Sequence, residues 1–516
     1  MKCGVIIVGG GPNGLLMACE LALAGVRSIV LERLAERSAM PKANGLVGQV
    51  VQALDYRGLF ERFTGSAGPP RPAPGFQFGA LALDDQPMYL APVPQRRIEE
   101  ILERRAIELG AEVRRGYEVT SLSQDADGVT IDVSGPGGPC RMTTEYLVAA
   151  DGGRSAMRKQ LGIGFPGITD DSFVGLNGQA SFVPPVADLA TGELDVPGLG
   201  RLRSGTFTRT ERGMFAYGMF QPGVHRFSVF EWNRPRIDDS VPVTLAEAGE
   251  TVSRVLGAEV CLAEPVNGTE VMLRRGEAIN SRQAERYRDG RVFLIGDAAH
   301  VHSGIGGPGL NLGMQDVMNL GWKLGAQIKG WAPEGLLDTY ERERLPVGRR
   351  VLMHTRAQMA LVSPGPNVTA LRQLIEELLQ NRDNVRHIGE MMAGSDVRYA
   401  MASGSSQSHR LTGTWMPDLT LRTEKGSIRV AERMRAARPI LLDLAGSASL
   451  VAAAREWHDR VDVVRATAES AAAAVLIRPD GYVAWASDVP HAVDGLRDAL
   501  EMWFGQPLPA PVAACA

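Results

Sequence analysis

Apolar and polar positions along this chain follow two different rhythms. Residues Gly4 to Val8 form a short unbroken apolar run rich in β-branched side chains, as expected of a strand buried on both faces of a parallel sheet. Leu15 to Ala24 carries a single charge, Glu20, and reads as a helix. A second apolar run, Ser28 to Leu31, follows Gly25 and ends at Glu32. Strand, helix and strand occupy about thirty residues, the span of a βαβ crossover.

Further along, Ile98 to Leu109 is helix-like and leads into alternating segments at Gly116 to Leu122 and Val129 to Val133, which read as strands. The Pro- and Gly-rich stretch Ser134 to Pro139 marks a hairpin or loop, and Tyr146 to Ala150 a short buried strand. Between about Phe173 and Gln283 the βα rhythm gives way to short alternating strands, such as Gly213 to Phe220 and His225 to Glu231, so this block reads as a separate sheet domain. Arg291 to Gly296 restores the first pattern. From near Gly309, Leu310, Met314, Val317, Leu320, Leu324 and Ile328 recur at three- and four-residue steps, which predicts a helix with one buried face, ended by Trp331 to Pro333. A helical region from Tyr340 to about Gln380 includes Leu371, Ile375 and Leu378, and loop-like sequence from Ser403 to Pro417 precedes a small α/β tail. In that tail, strand-like runs at Ile440 to Leu444, Val461 to Val464, Ala474 to Ile477 and Gly481 to Trp485 accompany a helix from Ser447 to Trp457, with Ser447 placed to cap it.

Length and composition narrow the class. A chain of 516 residues exceeds one hydrophobic core and has room to bury a large cofactor. With 44% hydrophobic and 22% charged residues it is an ordinary globular sequence. A formal charge of -4 supplies no basic field for nucleic acid or an anionic membrane. The cysteines, odd in number, form no C-x-x-C pair, and no apolar stretch has the length of a signal core or membrane helix. The reading is a soluble cytoplasmic protein, monomer or homodimer.

The chemistry begins at Gly9-Gly10-Gly11-Pro12-Asn13-Gly14, a G-x-G-x-x-G after a strand and at the start of a helix. Gly9, Gly11 and Gly14 permit a tight turn and close approach of a pyrophosphate, whose charge the helix start stabilises. Glu32 ends the second strand, where it can accept from ribose hydroxyls and repel a 2′-phosphate. Arg33, next to it, can reach the adenosine end. A lone glycine motif is weak; strand, helix and acid in register make it specific for an adenine dinucleotide. The second loop is Gly296-Asp297-Ala298-Ala299-His300, ahead of the Gly-rich Gly304 to Gly309. Asp297 can bind a ribityl hydroxyl there, and the amides of the following helix start can face the electron-rich end of a reduced flavin. Two separated nucleotide-type loops argue for one long cofactor between them.

Three segments now resemble the group A flavoprotein monooxygenases: Gly9 to Gly14 with Glu32, Asp151-Gly152-Gly153-Arg154-Ser155-Ala156-Met157-Arg158, and Gly296 to Leu324. Val93-Pro94-Gln95, Gly330-Trp331, Leu336 to Tyr340, His354 to Gln358 and Arg478 to Trp485 narrow the resemblance to the aromatic polyketide hydroxylases of antibiotic pathways. It implies an α/β fold: a Rossmann-like FAD-binding domain with a helical extension (1–172 and 284–400), an inserted β-sheet substrate domain (173–283), and a C-terminal thioredoxin-like domain (401–516). That last domain has no C-x-x-C; its cysteine is Cys515, so its role is structural. The resemblance also implies cofactor contacts from Lys42, Gln95, Val119 and Asp151, and from Pro308, Gly309, Leu310 and Asn311 beside the flavin ring. Gly304 stands where Pro is usual, Pro308 where Gln is usual, and Lys42 where Arg is usual, which keeps the charge but loses the bidentate fork.

What the resemblance implies chemically is FAD reduced by NAD(P)H, NADPH being the family expectation, then reaction with O₂ to a C4a-hydroperoxide that hydroxylates an electron-rich aromatic ring. The cofactor carries that chemistry, and the protein positions substrate and excludes water. No residue of Phe173 to Gln283 can be assigned as an activating base, so the catalytic residues stay unknown. His300 and His302 invite a metal, but no carboxylate or thiol cluster accompanies them. Trp331 and Trp485 read as packing residues, and Lys2 and Arg37 as scattered surface charges. Alternatives on the same scaffold are Baeyer–Villiger oxygen insertion, an antibiotic-inactivating hydroxylase, and a non-catalytic flavin-binding assembly partner. Halogenation is disfavoured by the lack of a W-x-W-x-I-P segment.

Overall fold

The computed structural model describes residues 3–38, 42–73, 75–84, 86, 88–188, 191–235, 238, 241–265, 267–276, 278–401, 409–470 and 472–507. Lys2 and Cys515 lie outside them.

Cys3–Val8 form strand β1, Pro12–Leu23 helix α1 and Ser28–Glu32 strand β2. Val5, Ile6 and Ile7 are fully buried, as a strand covered on both faces requires. Gln95–Glu108 is α2, followed by β3 (Glu112–Arg115), β4 (Glu118–Gln124), β5 (Val129–Gly135) and β6 (Gly138–Ala149). The patterning singles out Tyr146 to Ala150, but β6 is one strand of 12 residues. Its first half pairs antiparallel with β5 and is largely exposed, while its second half runs parallel to β1 in the core. Burial, and with it the apolar signal, therefore starts only near Tyr146.

Next come β7 (Gly167–Asp170), β8 (Phe173–Phe182), β9 (Gly213–Gln221), β10 (Val224–Trp232), α3 (Leu245–Leu256), β11 (Met272–Gly276), β12 (Ile279–Gln283), β13 (Val292–Leu294) and β14 (His300–Val301). In the main sheet the order β13-β6-β1-β2-β3 is parallel throughout. A second sheet has β9, β10, β8 and β11 antiparallel. Period-two alternation gives it two distinct faces. Phe182, Phe215, Phe227 and Val229 pack on Val252 of α3. On the other face Phe173, Met214, Phe230 and Trp232 gather with Ile305, Met359 and Val362. Strand β12 pairs with β7 and β14 in a separate small sheet.

Pro308–Lys329 is α4. One buried face was expected, yet Asn311 to Met314 and Asp316 to Ala326 are all buried, because α1 covers one side and later elements the others. The expected helix from Tyr340 to about Gln380 is divided into α5 (Asp338–Val362) and α6 (Pro366–Leu378), with Pro364 in the break, and α7 (Arg382–Ala393) follows. Leu371 and Leu378 are exposed by 44% and 49%, whereas Ile375 packs beside Phe78 and Leu361.

The tail contains β15 (Ile440–Asp443), α8 (Ala448–Ala454), β16 (Asp462–Arg465), β17 (Ala474–Ile477), β18 (Val483–Ser487) and α9 (Val493–Phe504). Its sheet order is β16-β15-β17-β18, with β15 parallel to β16 and the other pairs antiparallel. Ser447 Oγ accepts from the Leu450 amide at 3.4 Å, the cap read from sequence. Trp457, Leu496 and Trp503 share a core with Trp322 and Ala326 of α4, and Trp331 and Trp485 pack against it, as the packing reading expects. No helix among the described residues is long and apolar enough to cross a membrane.

Candidate functional site

The loop from β1 to α1 is shaped by its glycines. Gly9 has φ +111°, and its amide donates to the Leu31 carbonyl at 2.8 Å. A Cβ on Gly14 would overlap the Gly9 carbonyl oxygen, and one on Gly10 would lie 2.8 Å from Glu32 Cβ. A Cβ on Gly11 would meet nothing within 4 Å, so the loop is tight on its inner side and open at Gly11. Pro12 occupies the first turn of α1, where no amide donor is needed. Glu32 Oε2 accepts from the Gly10 amide at 2.7 Å and Oε1 from the Leu34 amide at 2.9 Å, which fixes the carboxylate against the loop. Arg33 beside it is exposed. Arg37 is not a scattered charge: it pairs with Glu103 at 2.8 Å.

The second loop closes on the first through Asn13. Gly296 has φ +57°, and the Asn13 amide group stands where a Cβ of Gly296, or of Gly313 in α4, would have to be. Asp297 has an exposed side chain, yet protein crowds around it; this desolvation raises its carboxyl above the usual range, with His300 and Lys42 pulling the other way. An acid that is open yet desolvated lies in a cleft, and Lys42 lies within electrostatic reach of it. Gln95 carries the Lys42 segment: its amide donates to the Ala43 carbonyl at 2.9 Å, and its Oε1 accepts from the Ala43 amide at 3.4 Å. Val119 is 7% exposed and packs in the core of the parallel-sheet body, with the Tyr117 amide nearby donating to the Glu32 carbonyl at 2.9 Å.

The third segment lies at the end of β6. Asp151 Oδ2 accepts from the Met157 amide at 3.1 Å. Arg158 donates to the carbonyls of Ala298 at 2.8 Å and Gly153 at 2.9 Å, with its guanidinium 3.6 Å from the Phe165 ring centre. It thereby ties this segment to the Gly296 loop. Pro308, Gly309, Leu310 and Asn311 form the first turn of α4 after Gly307, whose φ is +70°. Asn311 Oδ1 accepts from the Val47 amide at 2.9 Å. Gly304, where a Cβ would meet nothing within 4 Å, opens to the same side.

These features fit an adenine–flavin dinucleotide. The open position at Gly11 faces the start of α1, and Asn13 Oδ1 and Asp151 Oδ1 are buried without a hydrogen-bond partner among the described residues. Two family models cover the chain: an FAD binding domain over residues 2–355 and an aromatic-ring hydroxylase C-terminal domain over residues 409–507. The chain belongs to the group A flavoprotein monooxygenases. A 12-dehydrotetracycline 5-monooxygenase/anhydrotetracycline 6-monooxygenase of Streptomyces rimosus is 44% identical over 98% of this chain and 100% of its own. A dialkyldecalin synthase of Streptomyces rugosporus is 36% identical over 98% of this chain and 99% of its own. The solved structure of the OxyS anhydrotetracycline hydroxylase from Streptomyces rimosus superposes with a TM-score of 0.85 at 41% identity, covering 98% of this chain and 100% of that one.

In this flavoprotein monooxygenase the structure also reveals residues that the sequence reading missed. Asp316 in α4 is fully buried: Oδ2 accepts from His300 Nε2 at 2.7 Å and from the Gly296 amide at 3.2 Å, and Oδ1 accepts from Arg344 Nε at 2.7 Å. Burial alone would raise this carboxyl, but Arg344 and His300 hold it below the usual range. Arg344 also donates to the Leu312 carbonyl at 3.1 Å and to Tyr399 Oη at 3.0 Å. The Gly296 loop is thus held from behind by an ion pair whose partners lie far apart in the chain. The only sequence signal for it is a lone acid and a lone arginine inside helical stretches.

Proposed function

We propose that this FAD-dependent aromatic hydroxylase oxygenates a polycyclic, polyketide-type substrate with NAD(P)H and O₂, NADPH being favoured. The observation that carries the reading is Asn13 joining the Gly9–Gly14 loop to the Gly296 loop, which makes one continuous surface for a cofactor with a diphosphate at one end and a sugar-alcohol arm at the other. Bound FAD would supply electron acceptance from the nicotinamide and activation of O₂.

The chain's own residues divide the remaining work. Amides at Gly9, Gly11, Pro12-Asn13 and Gly14 and the start of α1 stabilise the diphosphate, Glu32 accepts from the adenosine ribose, and Arg33 approaches the adenosine end. Asp151 and Asp297 hold hydroxyls of the ribityl side, and Gln95 keeps Lys42 beside it. Val119 packs behind the adenosine end. The free amides of Gly309 and Leu310, framed by Pro308 and Asn311, favour negative charge on the ring edge facing them. Phe173, Met214, Phe230 and Trp232 present an apolar wall to the substrate's rings and help exclude water. Further along the same face, Asn177 beside Ser228 and Gln179 beside Arg226 offer polar partners for ring oxygens. In this reading 1–172 and 284–400 are the FAD-binding unit, 173–283 the substrate sheet and 401–516 a structural thioredoxin-like domain, in a cytoplasmic monomer or homodimer.

The synthase among the relatives favours one second reading: a flavin scaffold that reshapes its substrate without oxygenating it. The test is reconstitution with FAD and a screen of polycyclic phenols and quinones under ¹⁸O₂, following NADPH consumption and product mass together. A product carrying one labelled oxygen is expected. A substrate consumed without label supports the second reading, and a protein that takes up no FAD removes both.

A further inference from the structure

We propose that His302 is a cofactor-positioning residue whose Nε2 accepts a hydrogen bond from the N3–H of the flavin ring; this rests on the FAD reading above. His302 Nδ1 lies 2.9 Å from the Ser303 carbonyl oxygen. A carbonyl only accepts, so Nδ1 carries the hydrogen and the lone pair lies on Nε2. Nε2 is 3.8 Å, and Cε1 3.5 Å, from the position a Cβ of Gly309 would take, at the first turn of α4. The rim of the cleft therefore sets an acceptor directly beside the free amide donors of Gly309 and Leu310. The matching partner is an edge with a carbonyl next to an N–H. The pyrimidine edge of a flavin has that pattern in C2=O and N3–H, whereas a phenol has a single hydroxyl.

The neighbouring groups keep Nε2 an acceptor. Desolvation pulls the His302 imidazole down to about 3; the Ser303 carbonyl opposes this, and His300 and His354 add to it. His302 is therefore neutral at ordinary pH. His300 is not available for the same task, because its Nε2 is held by Asp316 at 2.7 Å.

The experiment uses FAD-loaded wild type, H302F and H302Q. Absorption during alkaline titration reads ionisation of N3–H, fluorescence reads FAD affinity, and ¹⁵N NMR reads the His302 nitrogens with and without FAD. In H302F, N3 ionisation shifts to lower pH and the FAD dissociation constant rises about three- to tenfold. H302Q, whose amide oxygen reaches the Nε2 position, restores both. An unchanged N3 titration in folded H302F overturns the proposal. Should H302F not fold, the NMR decides: an Nε2 shift that moves on FAD binding supports the role, and one that stays fixed overturns it. Wild type that takes up no FAD fails the FAD reading instead.

Discussion

Asn13 fills the notch opposite Gly296, its side-chain amide taking the space that any Cβ there would need. Two loops at opposite ends of the cofactor-binding sequence are thereby in contact, and neither can shift without the other. The pairing requires glycine for two reasons, space and a φ of +57°.

Replacing Gly296 with Ala tests both. A left-handed backbone at a non-glycine costs about 1–2 kcal/mol, before any cost of displacing Asn13, whose other side is closed by Gly313. The expected result is a lower melting temperature and FAD binding weakened about tenfold or more; FAD affinity equal to wild type would show that the contact does not position the cofactor.

Glu32 should behave as an anchor for its own loop. In Glu32→Ala the half-buried Gly10 amide loses its acceptor, worth about 1–3 kcal/mol, together with any ribose contact. Fluorescence titration should show FAD affinity falling in the order wild type, Glu32→Gln, Glu32→Ala.

Acid should loosen the fold in a defined window. Burial draws the His354 imidazole down to about 4, with Arg350 adding to the shift and Asp396 opposing it. Its unfolded value is about 6.5, so between these values the unfolded chain binds a proton the folded one refuses. The stability is complete above about pH 6.5 and is lost progressively towards about pH 4, by an amount on the order of 2–3 kcal/mol. Asp316, depressed, adds a loss below about pH 4. Melting temperatures from neutral to acid pH should fall, and His354→Gln should flatten the upper part of the curve.

A third of the argument lies in the tail. Arg478 is fully buried and donates to both oxygens of Glu343 in α5, at 2.7 and 2.8 Å, with Asp480 on its other side. Its guanidinium lies 4.5 Å from the Trp503 ring centre. Arg478→Ala leaves Glu343 buried with Lys323 as its remaining cation, and should cost about 3–5 kcal/mol. Paired with Glu343→Gln the loss should be clearly less than additive; a simple sum in thermal unfolding would deny the coupling.

How much of this was legible beforehand depended on range. Gly4 to Val8, Ser28 to Leu31 and Ala474 to Ile477 could be read because a strand buried on both faces leaves an unbroken apolar run. Ser447 could be read because capping is local. The exposed first half of β6 could not, since its side chains face water. The helix at 308–329 read as one-sided because Asp316, Asn319 and Lys323 are polar, yet each is buried with a partner supplied by distant sequence. The cofactor loops were visible as motifs. The ion pair of Asp316 with Arg344 and the wedge of Asn13 were not, because no spacing rule links positions that meet only after folding.

One rod of 22 residues, Pro308–Lys329, begins at the cleft rim and ends under the C-terminal tryptophans. At 1.5 Å per residue it spans about 33 Å and, packed along nearly its whole length, resists bending. The appended domain, far from any chemistry, therefore serves as a splint. Shortening the protein at that end would be felt as wobble where the coenzyme ring rests, and so as wasted reducing power.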